Sequence, residues 1–346
     1  MIPVVYNVRS MSRKRIEIGS EFWLEQPVLQ PVADRDGVYT LSGRTAIDVI
    51  LQEVMRTRKV RGVMMPAWCC DSMIAPFAHR NIRVDFYDVC HTDFTDNTDV
   101  LYVTNYFGYE NTLSLETVKR FKSKGAVILY DRTHSFLMDD DPYLAVADYS
   151  FASIRKWMGV IGGAVVEGVN DVTLRPCPYL APKEAAMRMK QSYMEGDNTV
   201  DKQEFLRLYG EFGHYLAKDY RDYAIDDLSY AIYKATDFEV MKAQRITNAQ
   251  YLHEHLKGLR FMYDLSGKAV PLFVPVLFES KEQRDAVRKK LIEAEIYCPI
   301  HWPKPAYIPA GFEANRIYAT ELSLICDQRY TTDDMTRMVA VINEHE

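Results

Sequence analysis

The chain has 346 residues, of which 48% are hydrophobic and 26% are charged. This balance is typical of a globular protein and excludes a disordered chain, a collagen-like repeat and a small disulfide-stapled protein. Lys and Arg number 42 against 48 Asp and Glu, so the net charge of −6 leaves no basic surplus that would indicate a nucleic-acid partner. At about 150 residues per domain, the length predicts two domains.

No segment has the pattern of a secretory leader or a membrane span. The longest apolar stretches, such as residues 159–166, are far shorter than the ~20 residues needed to cross a bilayer. The six cysteines, at positions 69, 70, 90, 177, 298 and 326, include no CxxC spacing typical of metal or redox sites. We therefore predict a cytoplasmic protein with free thiols, no bound metal and no membrane partner.

Between residues 37 and 166, short apolar runs alternate with amphipathic segments. Ile47, Ile50, Leu51 and Val54 share one face of a predicted helix. A second helix is predicted over 113–124, and the strand-like runs are 62–66, 83–89, 99–107, 126–131, 145–152 and 162–166. Strands that alternate with helices predict a mostly parallel sheet with helices on both faces. Ligands of such sheets bind at the carboxyl ends of strands and at helix N-termini.

The later part of the chain has a different character. Residues 180–235 are charged, rich in tyrosine and helical in pattern. The elements predicted after them are a helix over 238–259, a strand over 270–278, a helix over 285–296, a strand over 296–302 and a helix over 332–345 with Thr332 or Asp333 as its N-cap. We therefore predict three parts, namely an N-terminal segment 1–29, a large α/β domain 30–235 and a small C-terminal α+β domain 236–346.

Asp131 and Lys156 are the most informative residues of the large domain. Asp131 ends an apolar strand, and Lys156 follows one strand later, with Ser153 three residues before it. Pyridoxal phosphate (PLP) requires this pair, because a lysine amine forms a Schiff base with its aldehyde and an aspartate keeps its pyridine nitrogen protonated. Each residue alone is more often structural, so the ordered combination carries the prediction.

A phosphate site is also predicted upstream, where LSGRTAI opens the first helix. Backbone N–H groups at Gly43, Arg44 and Thr45 and the helix dipole would bind a phosphate. An ordinary helix capped by Ser42 has the same sequence pattern, so this signal alone is weak.

The ordered segments SGRTAI, MMPAW, TNYFGY, YDRTHSF, SIRKWMGVIGGAVV and LSLICDQRYTTDDM resemble the DegT-like aminotransferases. These are fold-type I PLP-dependent enzymes that act largely on nucleotide-linked keto sugars, and the resemblance covers nearly the whole chain. It implies a mostly parallel sheet of the seven-stranded type between helices, a smaller C-terminal α+β domain and a homodimer.

The resemblance also assigns roles to single residues. Lys156 matches the Schiff-base lysine, Asp131 the residue at the pyridine nitrogen, and His134 the position of a glutamine that contacts the ring hydroxyl. The residues assigned to cofactor binding are Gly43, Arg44, Thr45, Trp68, Asp131, Thr133, His134, Ser150, Ser153 and Lys156. Of these, Lys156, Asp131 and His134 are the predicted catalytic residues.

Some of these assignments have rivals. Phe22, Trp23 and Tyr106 compete with Trp68 for the aromatic that stacks on the cofactor ring. His301 and Trp302 either line the site or pack as an ordinary strand. Arg175, Arg207, Arg245 and Arg329 are unranked candidates for binding a carboxylate or diphosphate.

Arg44 replaces a small hydroxyl residue of the family, and Phe151 stands where many sugar enzymes place a phosphate-binding serine. These departures affect the substrate more than the cofactor.

The predicted function is amino transfer, from glutamate to a nucleotide-linked keto sugar, in nucleotide-sugar biosynthesis. Two alternatives stay open: another fold-type I PLP enzyme such as a lyase or dehydratase, and a non-catalytic regulatory descendant. A nucleotide-binding dehydrogenase is disfavoured because no GxGxxG follows a strand.

Overall fold

In a computed structural model of the protein, the structure describes residues 13–25, 37–88 and 98–344. The helices are α1 (Gly43–Thr57), α2 (Asp71–Ala78), α3 (Leu115–Ser123), α4 (Ala181–Met194), α5 (Lys202–Lys218), α6 (Asp227–Ala235), α7 (Phe238–His255), α8 (Lys281–Glu293), α9 (Glu313–Thr320) and α10 (Thr332–Asn343). The strands are β1 (Ile18–Gly19), β2 (Val38–Thr40), β3 (Gly62–Pro66), β4 (Arg83–Tyr87), β5 (Val100–Tyr106), β6 (Glu110–Asn111), β7 (Val127–Asp131), β8 (Tyr149–Ala152), β9 (Ala164–Glu167), β10 (Arg260–Phe261), β11 (Val274–Leu277), β12 (Ile296–Tyr297) and β13 (Glu321–Leu324). Cys90 and the last residue of the strand predicted over 83–89 lie outside the described residues.

The central sheet has the strand order β2-β9-β8-β7-β5-β3-β4, with β6 added beside β5. Strands β4, β3, β5, β7 and β8 pair in parallel, and β9 runs antiparallel to both of its neighbours. The prediction of a mostly parallel sheet is confirmed. Its parallel strands bring their carboxyl ends to one edge.

Both faces of this sheet are covered, as the period of two in its strands requires. On β7, Leu129 belongs to the core under α1 and α2, whereas Ile128 and Tyr130 belong to the core under α3. The predicted face of α1 is confirmed, because its four apolar positions are all buried against the sheet.

A second, three-stranded sheet has the order β10-β11-β13 and is antiparallel. Its apolar side chains form a core with α7, α8 and α10. The strand predicted over 296–302 is wrong beyond Tyr297, because only Ile296–Tyr297 pair, with β1 of the N-terminal segment. Thr331, rather than Thr332 or Asp333, caps α10 through a capping box with Asp334.

The tyrosine-rich segment after residue 180 folds into α4, α5 and α6. Phe205 and Met187 bury their side chains in a core that also contains Trp157, directly after the predicted catalytic lysine. The described helices include none that combines the length and apolarity of a membrane span.

The turn after β5 needs glycine at position 108. Gly108 has φ +82°, and a Cβ there would lie 2.0 Å from the carbonyl oxygen of Val270. Gly125 has a similar φ of +90°, but a Cβ there would meet no atom within 4 Å. Alanine at position 125 would therefore meet only backbone strain, whereas alanine at position 108 would meet the same strain and a steric clash.

We expect Gly125→Ala to lower the free energy of unfolding by about 1–2 kcal/mol, the cost of a left-handed backbone for an L-residue. Gly108→Ala should lose a further ~1–3 kcal/mol, because the carbonyl of Val270 belongs to backbone that cannot yield freely. Urea denaturation of both variants measures the difference. Equal losses would show that the turn relaxes around the added methyl group.

Candidate active site

Asp131 ends β7 at the carboxyl edge of the central sheet and is 6% exposed. Its Oδ2 accepts a hydrogen bond from the Tyr102 hydroxyl at 2.6 Å, and its Oδ1 accepts one from the Thr133 N–H at 2.9 Å. Burial raises the pKa of Asp131, although these hydrogen bonds and nearby Lys156 oppose the shift. A positively charged neighbour would therefore stabilise this carboxylate.

Thr133 joins the end of β7 to the loop that carries the lysine. Its hydroxyl accepts a hydrogen bond from the Ser153 N–H at 3.1 Å, and its carbonyl accepts one from the Trp157 indole at 2.6 Å. Lys156 lies between these two anchors, at the end of a short 3₁₀ turn that begins at Ile154. The position of the lysine is thus fixed relative to Asp131.

Part of the Lys156 residue is exposed to solvent, although the protein atoms around its amine desolvate that group. Desolvation lowers its pKa first, and the adjacent charge of Arg155 lowers it further. Asp131 and Glu21 oppose this effect. The environment thus favours the neutral, nucleophilic form of the amine.

His134 lies three residues after Asp131 and is a neutral imidazole. Its Nδ1 accepts a hydrogen bond from the Phe107 N–H at 3.1 Å, so the hydrogen of the neutral ring is on Nε2. The Phe107 ring stacks on it with centroids 4.8 Å apart. Burial and the charge of Lys156 lower the pKa of His134 to about 3.

His301 and Trp302 come to this site from the loop after β12. Trp302 stacks on His134 at a centroid distance of 5.9 Å, and the His301 ring lies 6.5 Å from the same ring. Lys156 and His134 lower the pKa of His301 in addition to its burial. Of the two interpretations of this segment, the structure favours the one in which it lines the site.

The start of α1 lies close to the loop before Lys156, and we call Gly43, Arg44, Ser153 and Arg155 the cradle. A Cβ added to Gly43 would lie 3.3 Å from the Phe151 ring and 3.4 Å from the Ser153 Cβ, so a side chain there would crowd both residues. Arg44 and Arg155 repel each other electrostatically. Their Nε atoms are buried and have no hydrogen-bond partner among the described residues. Unpaired buried donors of this kind are costly unless an anion meets them.

Three predicted site residues have their polar groups bonded to other parts of the protein. Thr45 is fully buried, and its hydroxyl donates to the Tyr220 carbonyl at 2.7 Å. The Ser150 hydroxyl donates to Glu167, and period-two alternation puts it on the face opposite Phe151. Trp68 is completely buried, with its indole donating to the His301 carbonyl at 2.6 Å.

The rival aromatics are also engaged. Tyr106 packs on Trp68 with centroids 4.5 Å apart and donates to its carbonyl. Phe22 and Trp23 lie under the guanidinium of Arg329. Phe107 and Trp302 are instead the aromatic residues that stack on His134.

Sequence reasoning missed Arg155 and Glu21. Arg155 is adjacent to Lys156, which was the available signal, whereas nothing local marks Glu21, which reaches the site from the N-terminal segment. The charge of Lys183, 3.1 Å away, and those of Arg155 and Lys156 lower the pKa of Glu21 to about 2. The carboxylate is therefore charged beside the lysine.

The four arginines left unranked are engaged elsewhere. Arg245 is buried and donates to the carbonyls of Leu272 and Trp157, and Arg329 pairs with Asp327. Arg175 and Arg207 lie on the surface beside acidic residues. No group of three or more metal-ligating side chains occurs in the described ranges.

No family profile and no curated protein matches the sequence. Solved structures do match the fold. NtdA from Bacillus subtilis, with bound cofactor PMP, is 15% identical at a TM-score of 0.64, and the match covers 90% of this chain and 73% of that one. DesI, solved in the presence of its TDP-sugar product, is 15% identical at a TM-score of 0.63, with 90% and 80% covered. The sugar aminotransferase CalS13 from Micromonospora echinospora is 12% identical at 0.61, with 89% and 86% covered. The chain therefore has the fold of PLP-dependent aminotransferases.

The neutral state of His134 predicts a pH dependence of stability. Its ordinary pKa of 6.5 falls to about 3 in the folded protein, so between these values the unfolded chain binds a proton that the folded chain does not. The free energy of unfolding should thus decrease as the pH is lowered from about 6.5 to about 3, by up to about 1.4 kcal/mol per pH unit from this residue. His134→Gln should remove that contribution in urea denaturation at several pH values.

The exposed His214 on α5 supplies the matched control. His214→Gln should keep the pH dependence of the wild-type protein. Identical pH dependence in wild type and His134→Gln would show that His134 takes up a proton in the folded state.

Proposed function

We propose that this chain is a PLP-dependent aminotransferase that moves an amino group from glutamate to a keto sugar linked to a nucleotide. The observation that carries the proposal is the convergence of Lys156, Asp131 and His134 at one sheet edge, beside a cradle with two unpaired guanidinium nitrogens. PLP, when bound, supplies an aldehyde for a lysine amine and an electron sink for the substrate.

The residues present fit both ends of this cofactor. Asp131, buried and raised in pKa, would meet the pyridine nitrogen and keep its proton in place. The cradle of Gly43, Ser153, Arg44 and Arg155 matches a phosphate in charge and in donors. Ser150 and Thr45 keep their intramolecular hydrogen bonds and have no part in this proposal.

The chain's own residues would divide the work of proton transfer. Lys156, with its lowered pKa, accepts and returns a proton at its Nζ. His134 cannot supply an acid at neutral pH, so its Nε2–H acts as a neutral hydrogen-bond donor to the ring hydroxyl. Phe107 and Trp302 exclude water from the face of this imidazole.

Two of the similar solved structures support a sugar substrate. CalS13 is a sugar aminotransferase, and DesI was solved with a TDP-sugar. We propose by the same resemblance that the protein is a cytoplasmic homodimer. Glutamate as donor follows from the resemblance as well.

The lysine assignment makes a direct prediction. Purified protein incubated with PLP should absorb as a Schiff base, and borohydride should fix the cofactor mass on the peptide that contains Lys156. Lys156→Ala should give no adduct and no amino transfer, because no other amine replaces it. Lys289→Ala, at a lysine whose side chain is 78% exposed, should behave as wild type.

A protein that takes up no PLP would overturn the cofactor proposal. Uptake of PLP followed by amino transfer from glutamate to keto-sugar nucleotides, in a coupled assay, would support the full proposal. Uptake without transfer to any such acceptor would contradict the substrate assignment.

The cradle predicts that two arginines hold the cofactor phosphate. Arg44→Gln and Arg155→Gln should each weaken PLP binding by about 10- to 100-fold, because each removes a charged hydrogen bond to the phosphate. Absorbance titration with PLP measures the dissociation constants without reference to activity. Arg207→Gln, on the exposed face of α5, is the matched control and should bind as wild type. Unchanged binding in both cradle variants would contradict the phosphate assignment.

A further inference from the structure

Two buried polar residues of β13 lie beneath the loop that carries His301. Alternation along this strand sends Leu322 and Leu324 into the core with α7 and α10, and turns Glu321 and Ser323 to the opposite face. Glu321 and Ser323 are both 0% exposed. A carboxyl group in such a position is costly unless hydrogen bonds satisfy it.

A continuous chain of hydrogen bonds connects this carboxyl group to the imidazole. The His301 N–H donates to Glu321 Oε2 at 2.8 Å, which fixes one carboxyl oxygen. Glu321 Oε1 is bonded to the Ser323 hydroxyl, and that hydroxyl lies 2.8 Å from His301 Nδ1. A proton can therefore be exchanged along Glu321, Ser323 and Nδ1 without any side chain moving.

The other ring nitrogen of His301, Nε2, takes no part in these hydrogen bonds. No described residue bonds its Nε2, and His301 as a whole is 8% exposed. The ring lies edge-on to Phe107 at 5.2 Å and close enough to Lys156 and His134 for both to affect its pKa. Nε2 is thus the atom of His301 that is free for a ligand carried at Lys156.

We propose that Glu321 and Ser323 form a proton relay that determines which ring nitrogen of His301 carries the hydrogen, so that His301 presents either an acceptor or a donor to the substrate. With Glu321 ionised, Ser323 donates to the carboxylate and accepts from Nδ1–H, which leaves Nε2 as an acceptor. With Glu321 protonated, the acid donates to Ser323, Ser323 donates to Nδ1, and Nε2 carries the hydrogen. The Glu321 carboxyl group, the Ser323 hydroxyl and His301 Nδ1 keep their hydrogen bonds in both states.

The two states differ by one proton, and the exchange balances. When Nε2 takes a proton from a substrate hydroxyl or ammonium, Nδ1 passes its hydrogen to Ser323, and Ser323 passes its own to Glu321 Oε1. The ring stays neutral throughout, and the charge of Glu321 is neutralised. This matters because burial strongly disfavours an imidazolium at this position.

The surroundings of Glu321 allow both states near neutrality. Burial raises the pKa of Glu321 to about 8, against the opposing charge of Arg284 on α8. Arg284 donates a hydrogen bond to the backbone carbonyl of Glu321 at 2.9 Å. Leu277, which pairs with Glu321 across β11 and β13, carries no charge. The thiol of Cys298, with a pKa raised to about 12, remains protonated. Lys156 and His134 are the titratable groups that affect His301 from the other side.

The relay can be tested on the full chain without cofactor, by nitrogen NMR of ¹⁵N-histidine-labelled protein. Nδ1–H and Nε2–H forms give distinct patterns, and resonances are assigned with a His301→Gln variant. From about pH 6 to about pH 10, wild-type His301 should change from the Nε2–H to the Nδ1–H form, with a midpoint of about 8. A His301 pattern that stays constant over this range would overturn the proposal.

Glu321→Gln gives the sharpest outcome. The His301 N–H holds the amide oxygen, so the amide NH₂ faces Ser323 and locks the Nε2–H form at every pH. Ser323→Ala should abolish the transition near pH 8 by cutting the relay. Glu282→Gln, exposed on α8, should titrate as wild type. Circular dichroism confirms that each variant is folded, and a transition retained in both relay variants would contradict the proposal.

The role of Nε2 toward a substrate rests on the proposed function, whereas the relay does not. If the protein transfers amino groups, Glu321→Gln should flatten the pH profile of turnover around pH 8, where the wild type changes state. A relay seen by NMR in a protein that takes up no PLP would refute the proposed function and leave the relay standing. A wild-type profile retained by an active Glu321→Gln enzyme would refute the substrate role of His301.

Discussion

The buried carboxylate of Asp131 is the constraint on which the site depends. Taking it out of water is costly, and the hydrogen bonds from Tyr102 and Thr133 offset only part of that cost, as its raised pKa shows. Thr133, fixed by this carboxylate, in turn holds Ser153 and Trp157 on either side of Lys156. The carboxyl end of β7 therefore positions the lysine through three hydrogen bonds, together with the 3₁₀ turn that ends at Lys156.

Around this anchor the surroundings lower the pKa values of one lysine and two histidines, and they also lower the pKa of Glu21. Desolvation lowers the pKa of Lys156, His134 and His301, and the aromatic rings that surround the histidines supply that desolvation. Glu21 shows the opposite balance, because Lys183 and Arg155 stabilise its charge more than burial opposes it. At this edge Phe107 and Trp302 lower the local dielectric constant around the imidazole of His134.

The sequence could predict what depends on local pattern. The parallel sheet, the apolar face of α1 and the order of Asp131, Ser153 and Lys156 follow from periodicity and spacing along one stretch of chain. It could not predict contacts that the tertiary fold creates, such as Glu21 arriving from the N-terminal segment or the Tyr220 carbonyl that occupies Thr45. The strand predicted over 296–302 failed for a related reason, since only Ile296–Tyr297 find a pairing strand, and that strand lies almost 280 residues earlier.

The two histidines show how one residue type serves different purposes through its hydrogen-bond partners. A backbone N–H, which can only donate, faces Nδ1 of His134 and permits a single neutral form. A hydroxyl, which both donates and accepts, faces Nδ1 of His301 and permits two. The first arrangement suits a fixed contact to a rigid ring. The second suits a group that must change its hydrogen bonding while a proton moves, and it needs a second acid behind the hydroxyl, which Glu321 provides.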